Sequence, residues 1–149
     1  MPKVLVSKCL TGATCRYDAC RQRPAVLDAY QAALDALPDA DPIPFCPEEQ
    51  GGLGTPRPPA WIERESAAAV LAGRDRVVTD SGADVTAGFL SGAQQALELC
   101  RREGIEYALL KERSPSCGTQ ATHVADQVTP GPGVTAQLLK DAGIEVRGV

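Results

Sequence analysis

The feature that most constrains the fold of this chain is the regular alternation of strand-like and helix-like segments. Residues 3–7 (KVLVS) form an apolar run typical of a buried strand, and residues 25–37 repeat apolar side chains at the helical period. The alternation continues to the C-terminus, with strands predicted at 43–45, 105–110 and 144–147 and helices at 84–103 and 133–143. This order predicts an α/β class fold: a single domain over residues 1–149, built as a three-layer sandwich with a mostly parallel, Rossmann-like sheet.

Three further segments add detail to this architecture. Residues 61–65 and 76–79 are expected to form a small hairpin, whereas the glycines and prolines of residues 50–59 predict a loop without regular structure. The long helix is expected to use Asp84 or Thr86 as its N-cap and to end before Gly104.

Charge and hydropathy exclude several classes of partner. Fifteen basic and nineteen acidic residues give a formal net charge of -4, which does not favour binding to a nucleic-acid polymer. The chain has neither the apolar core of a secretion signal nor a run approaching the roughly 18 apolar residues of a membrane span. We therefore expect a cytoplasmic protein that does not enter a membrane. Its oligomeric state is left open by the sequence.

Six cysteines are unusual in such a protein, because cytosolic chains seldom keep structural disulfides. Cys9 lies two residues after the first predicted strand, Cys46 directly follows the strand at 43–45, and Cys117 lies beyond the strand at 105–110. In parallel sheets, ligands bind outside the carboxyl ends of the strands. These three thiols are therefore predicted to converge on one edge of the sheet, and cysteine-bearing loops should occupy the C-terminal ends of the strands.

The other three cysteines give weaker signals. Cys100 lies on the apolar face of the long helix, where a free thiol behaves as a small hydrophobic group. Cys15 and Cys20 lack the spacing of a zinc knuckle, so we interpret them as incidental loop thiols. His123 is the only histidine and is interpreted as a surface or structural residue.

Three converging thiolates favour some metal groups over others. Structural zinc takes four protein ligands, and many catalytic zinc sites with three ligands include histidine, whereas three cysteines on a [4Fe–4S] cluster leave one iron without a protein ligand. Two alternatives remain open. One is a non-enzymatic metal- or cluster-binding, redox-sensing module. The other is a cysteine-nucleophile hydrolase, which would need His123 as a partner.

Polar residues near these cysteines suggest chemistry. Glu48 is either a general acid or base with a pKa raised by burial, or a solvated loop glutamate. Ser114 and Ser116 precede Cys117 and can bond either a substrate or the backbone of their own turn. Residues 16–18 supply an arginine fork, an aromatic face and a carboxylate, groups that bind a planar heterocycle, although a surface loop is the simpler interpretation.

Five motifs together resemble a known family. They are V-L-V-S-K-C-L-T-G (4–12), C-R-Y-D (15–18), C-P-E (46–48), G-G-L-G-T-P-R-P-P (51–59) and K-E-R-S-P-S-C-G (111–118). They are similar to a small family, formerly a domain of unknown function, whose characterised members are [4Fe–4S]-dependent thiouracil desulfidases. The resemblance covers nearly the whole chain.

The resemblance implies a cofactor, a site and a reaction. The cofactor is a [4Fe–4S] cluster on Cys9, Cys46 and Cys117, with Glu48 and Ser114 as catalytic residues. The substrate is a small thiolated base such as thiouracil, which is converted to uracil and hydrosulfide without net redox change, and Arg16, Tyr17 and Asp18 are candidates to bind it. The chain departs from the family pattern at positions close to this site: Lys8, Thr11, Ala19 and Glu49.

Overall fold

A computed structural model of the chain describes residues 2–149. The strands are β1 (Lys3–Ser7), β2 (Asp41–Phe45), β3 (Ala60–Ile62), β4 (Val77–Thr79), β5 (Tyr107–Leu110), β6 (Ala121–Val124), β7 (Gln127–Pro130) and β8 (Glu145–Gly148). The helices are α1 (Pro24–Asp35), α2 (Pro47–Gln50), α3 (Ala67–Leu71), α4 (Thr86–Glu103) and α5 (Val134–Asp141), and a 3₁₀ turn occupies Lys8–Thr11. In the described part of the chain, no helix combines the length and apolarity that crossing a bilayer requires.

The first sheet confirms the predicted α/β architecture. Its four strands run in the order β2-β1-β5-β8, and every neighbouring pair is parallel. Alternate residues of β1 point to opposite faces: Val4 and Val6 pack with Tyr30 of α1, and Leu5 packs with α4 and α5. Helices therefore cover both faces of this sheet, as the three-layer prediction requires.

A second, mixed sheet was not predicted as such. Its order is β4-β3-β6-β7, with β3 antiparallel to β4, parallel to β6, and β6 antiparallel to β7. The predicted pairing of 61–65 with 76–79 is confirmed by β3 and β4, although α3 lies between them in the chain. The β6–β7 hairpin was missed because β7 is largely exposed and carries Pro130, so it lacks an apolar pattern.

The element boundaries differ slightly from the predicted ones. Val85 takes the N-cap position of α4, while Asp84 accepts a hydrogen bond from the Thr86 backbone N–H at 2.9 Å. Neither proposed residue is thus the cap itself. Cys100 is 1% exposed within the core, which confirms its interpretation as a small hydrophobic group.

Helices α2 and α4 approach each other so closely that only glycine fits at their contact. A Cβ atom added at Gly92 would overlap the Pro47 carbonyl oxygen, and one at Gly51 would overlap the Gly88 carbonyl oxygen. In both cases the clashing atom belongs to the backbone, so no side-chain rotation can relieve the overlap. The contact fixes α2, which begins immediately after Cys46.

We expect Gly92→Ala to destabilise the protein despite the better helix propensity of alanine. Alanine would contribute about 1 kcal/mol at an open helix position, but overpacking against backbone costs about 1–3 kcal/mol. Urea unfolding should therefore give a net loss of free energy of unfolding. Gln94→Ala, on the exposed face of the same helix, is the control and should be neutral or stabilising. A stabilised Gly92→Ala protein would contradict the close contact.

Candidate functional site

A cavity of about 510 Å³ lies at the carboxyl ends of the first sheet. One wall is built from the residues that follow β1, β2 and β5, and another from β3 and β6 of the second sheet, including Trp61 and His123. This volume lies within the range of about 300–1,000 Å³ that is typical of small-molecule pockets. The topology therefore places a ligand-sized space where α/β sheets usually bind ligands.

Cys9, Cys46 and Cys117 all line this cavity. Cys9 is carried by the 3₁₀ turn after β1, Cys46 is the N-cap of α2 directly after β2, and Cys117 follows β5 in the loop before β6. Since β1 lies between β2 and β5, the three thiols come from three adjacent strands that end at the same edge. Three soft donors thus share one wall, although they are separated by up to 108 residues in sequence.

Cys15 is not an incidental loop thiol, so that interpretation was wrong. The residue is 3% exposed and lines the same cavity, its Sγ lies within 4.8 Å of Cys46 Sγ, and its carbonyl oxygen accepts a hydrogen bond from the Cys46 thiol at 4.0 Å. Loop closure over the site brings it there, which spacing in the sequence did not reveal. Cys20 is exposed and does not join this group, in agreement with its interpretation as a loop thiol.

The surroundings of the thiols shift their pKa values in different directions. The hydrogen bond from Cys15, supported by Gln22, Lys111 and Arg16, lowers the pKa of Cys9 to about 7. The Cys15 thiol likewise lowers the pKa of Cys46 and has its own pKa raised by those two contacts. Burial raises the pKa of Cys117, against a hydrogen bond from Ser7. Cys9 and Cys46 are therefore prepared to act as thiolates, the form that binds metals.

Glu48 lies beside the thiols in a partly dry environment. Its side chain is only 16% exposed, and burial raises the pKa of its carboxyl group. Arg57 opposes that shift, with its Nε 3.3 Å from Glu48 Oε1. Arg57 is itself fixed by hydrogen bonds from Nη1 to the Gly54 carbonyl and the Thr55 hydroxyl. Burial and Arg57 therefore shift the pKa of the Glu48 carboxyl group in opposite directions.

The two serines of the S-P-S-C segment have different surroundings. Ser114 lines the cavity, and its Oγ accepts hydrogen bonds from the backbone N–H groups of Ser116 (3.1 Å) and Cys117 (3.0 Å). Ser116 is fully buried and bonds Thr135 at 2.8 Å instead. Because the Ser114 oxygen acts as an acceptor towards the backbone, its hydroxyl proton remains available to donate into the cavity.

The loop that carries Ser114 and Cys117 is held by Glu112. This carboxylate accepts hydrogen bonds from the backbone N–H groups of Thr119, Gln120 and Ala121 at 2.7, 2.8 and 3.0 Å. The Thr119 hydroxyl donates a fourth at 2.7 Å. Four donors on one carboxylate hold the loop between β5 and β6 in a fixed shape.

Of residues 16–18, the structure places two in the cavity wall. Arg16 and Tyr17 line the cavity, whereas Asp18 accepts a hydrogen bond from the Cys20 backbone N–H at 3.0 Å and lies 3.7 Å from Arg16 Nη2. Asp18 thus contacts the turn and the arginine.

Sequence reasoning did not single out Ser7 or Arg57, which both line the cavity. Ser7 accepts a hydrogen bond from the Lys111 backbone N–H at 2.9 Å, across 104 residues. Arg57 and Lys111 add two cations, and His123 lies in the wall with Asp126 close by in the chain. The glycine- and proline-rich context of Arg57 was the one signal that could have drawn attention to it.

Comparison with known proteins identifies a family for this chain. The sequence profile of the 2-thiouracil desulfurase family matches residues 4–148. The chain belongs to the 2-thiouracil desulfurase family. A solved structure of TudS, described as a [4Fe-4S]-dependent thiouracil desulfidase, superposes with a TM-score of 0.77 and is 41% identical, over 99% of this chain and 91% of TudS. YbbK of Bacillus subtilis, an uncharacterized protein, is 38% identical over 147 residues, 96% of this chain and 93% of YbbK.

We expect Arg57→Met to destabilise the protein more at high pH than at low pH. Burial already raises the folded-state pKa of Glu48, and loss of Arg57 raises it further, so ionising Glu48 becomes more costly in the folded state. The penalty should reach about 3–5 kcal/mol near pH 8 and shrink as the pH falls towards 5, because protonation removes the unpaired charge of Glu48. Urea unfolding at both pH values measures it. Exposed Arg74→Met is the control; an equal penalty at both pH values would contradict the pairing.

We expect Glu112→Ala to loosen the loop that carries Ser114 and Cys117. Burial acts to raise the pKa of Glu112, but the hydrogen bonds from Thr119, Gln120 and Ala121 outweigh it and lower that pKa. Their contribution is therefore fully present above the unfolded pKa of 4.5 and is lost as the pH falls. The variant should lose about 2–4 kcal/mol near pH 7 and less near pH 3.5.

Urea unfolding and hydrogen exchange of the Thr119, Gln120 and Ala121 amides test this expectation. Glu98→Ala, on the exposed side of α4, is the matched control and should leave both unchanged. Unaltered exchange of the three amides in Glu112→Ala would show that the loop keeps its shape without the carboxylate.

Proposed function

We propose that this protein removes sulfur from a thiolated pyrimidine, converting thiouracil and water to uracil and hydrosulfide, with a [4Fe–4S] cluster on Cys9, Cys46 and Cys117. Family membership and the likeness to TudS support a thiouracil desulfidase that depends on an iron–sulfur cluster. The observation that carries the proposal is the position of three thiols from three adjacent strand ends in one cavity wall, next to the buried carboxyl group of Glu48.

The donor set fits an iron–sulfur cluster. All three proposed ligands are sulfur atoms, which iron–sulfur clusters select over the oxygen ligands that suit magnesium or calcium. Cys9 and Cys46 have lowered pKa values, and the cations Lys111 and Arg16 lie near Cys9, where they favour an anionic group. When bound, a cluster with three cysteine ligands supplies one iron that acts as a Lewis acid towards the thiocarbonyl sulfur of the substrate.

Glu48 is proposed to handle the water. The raised pKa of Glu48 lies closer to neutral pH, so its carboxylate can take a proton from a water molecule and later return it. Arg57 holds this carboxyl in place through Nε and limits the rise of its pKa. Glu48 therefore combines a fixed position with the basicity that attack of water on the ring carbon requires.

Ser114 is proposed to position the ring. Its oxygen is occupied by two backbone N–H donors, so its hydroxyl proton points away from the turn and can bond a ring nitrogen or an exocyclic oxygen. The guanidinium of Arg16 and the aromatic ring of Tyr17 provide donors and a planar surface in the same cavity. Asp18 is proposed to act on the substrate through Arg16, which lies 3.7 Å away.

The overall reaction balances without an oxidant or reductant. The carbon–sulfur double bond is replaced by a carbon–oxygen double bond, both protons of water are released to the leaving sulfur or to Glu48, and sulfur departs as hydrosulfide. The oxidation state of the ring carbon is unchanged. The chain therefore needs to supply only orientation, proton transfer and a soft acceptor for sulfur.

The protein reconstituted anaerobically with iron and sulfide should contain about four irons per chain and release sulfide from thiouracil. Cys9→Ala, Cys46→Ala and Cys117→Ala should lose both properties. Glu48→Gln should keep its iron and release sulfide about 100-fold more slowly or worse, because only proton transfer is removed. Iron analysis, visible absorption and a colorimetric sulfide assay measure these outcomes.

Exposed Cys20→Ser is the control and should behave as the unmodified protein. Anaerobic protein that takes up no iron would refute the proposal. Iron uptake without sulfide release would instead favour the redox-sensing alternative.

A further inference from the structure

Cys15 belongs to a second group of metal-binding side chains, which it forms with Cys46 and Glu49. Cys15 Sγ, Cys46 Sγ and a carboxylate oxygen of Glu49 all lie within 4.8 Å of one another. The Cys9 thiol contacts Cys15 from the other side. Two sulfur atoms and one carboxylate oxygen therefore lie close together where Cys15 and Cys46 are buried, and none of the roles proposed above uses Cys15 or Glu49.

These separations suit a single tetrahedral ion. Zinc binds thiolate sulfur at about 2.3 Å and carboxylate oxygen at about 2.0–2.2 Å, so adjacent ligand atoms around it lie about 3.5–3.8 Å apart. Ligand atoms already within 4.8 Å need to move only about 1 Å to reach this geometry. Cys117 does not belong to this group of close ligand atoms. Its thiol instead has a hydrogen bond from Ser7.

Glu49 is oriented for such a role by a neighbour. The Thr55 hydroxyl donates a hydrogen bond to Glu49 Oε2 at 2.6 Å, which fixes the carboxylate plane. Among residues 2–149, the partner of the other oxygen, Oε1, is Lys8 Nζ at 3.5 Å, and this lysine side chain is 46% exposed. Such an exposed ion pair is weak and readily gives way to an ion of higher charge. Support of this kind is characteristic of residues that hold metal ligands in place.

We propose that the cluster-free protein binds one Zn²⁺ ion through Cys15, Cys46 and Glu49, with water in the fourth position. Binding displaces the thiol protons of the cysteines, as metal coordination requires. Because Cys46 belongs to both ligand sets, zinc and the iron–sulfur cluster exclude each other. The zinc site does not depend on the proposed desulfidase activity, since it requires neither Cys117 nor substrate.

Zinc titration of the cluster-free, reduced full-length chain against a chromogenic chelator tests the proposal. One Zn²⁺ should bind per chain, and Co²⁺ in its place should show thiolate charge-transfer absorption and tetrahedral ligand-field bands. Cys15→Ser and Glu49→Gln should each weaken zinc binding at least tenfold. Cys20→Ser, a neighbouring exposed thiol, is the matched control and should bind zinc unchanged.

A comparison of two variants separates this site from the cluster site. Cys117→Ser should retain zinc affinity and fail to take up iron, while Cys15→Ser should lose zinc affinity and still take up iron. Unchanged zinc affinity in Cys15→Ser, or its loss in Cys117→Ser, would overturn the proposal. Circular dichroism of each variant identifies any unfolded protein, and Glu49→Gln, with its nearly isosteric side chain, provides the decision where Cys15→Ser is unfolded. Failure of iron uptake in the unmodified protein would refute the proposed function and leave the zinc result standing.

Discussion

The parallel pairing of β1 with β2 on one side and β5 on the other is the interaction on which the rest of the site depends. Parallel strands end at the same edge, so the residues that follow them become neighbours however far apart they lie in the chain. The register places Ser7 at the end of β1 beside Phe45 at the end of β2. The Ser7 hydroxyl also accepts a hydrogen bond from the backbone N–H of Lys111, which follows β5, so Ser7 connects the ends of all three strands. Every proposed cluster ligand lies within a short distance of that junction in sequence or in space.

Two devices hold these strand ends in one geometry. The glycine contacts between α2 and α4 lock the helix that follows Cys46 against the helical layer, leaving no room for a side chain. The Glu112 carboxylate gathers the backbone donors of the next loop and so fixes Ser114 and Cys117. The first depends on close backbone approach and the second on several backbone donors held by one carboxylate, so both tolerate less movement than contacts between flexible side chains. Preorganised ligands are what a metal group with a vacant position requires.

Burial and hydrogen bonding act against each other inside the cavity and shift the pKa values of its groups in opposite directions. Burial raises the pKa of Glu48 and of Cys117, whereas hydrogen bonds from Cys15 lower the pKa of Cys9 and Cys46. Cys15 thus favours the charged form of these two neighbouring thiols. The same closeness makes it a candidate ligand for a smaller ion when the cluster is absent.

The sequence by itself determined the alternation of strands and helices, the parallel sheet, and the position of Cys9, Cys46 and Cys117 at strand ends. These follow from local periodicity and from the rule that parallel strands share an edge. Only the tertiary structure decided that Cys15 belongs with them, that Arg57 pairs with Glu48, and that Ser114 faces the cavity while Ser116 turns to Thr135. The β6–β7 hairpin of the second sheet was also beyond reach, because β7 is exposed and lacks an apolar pattern. Loop residues meet through chain reversals whose geometry no local period encodes, and that is why the cavity's chemistry had to be read from the fold.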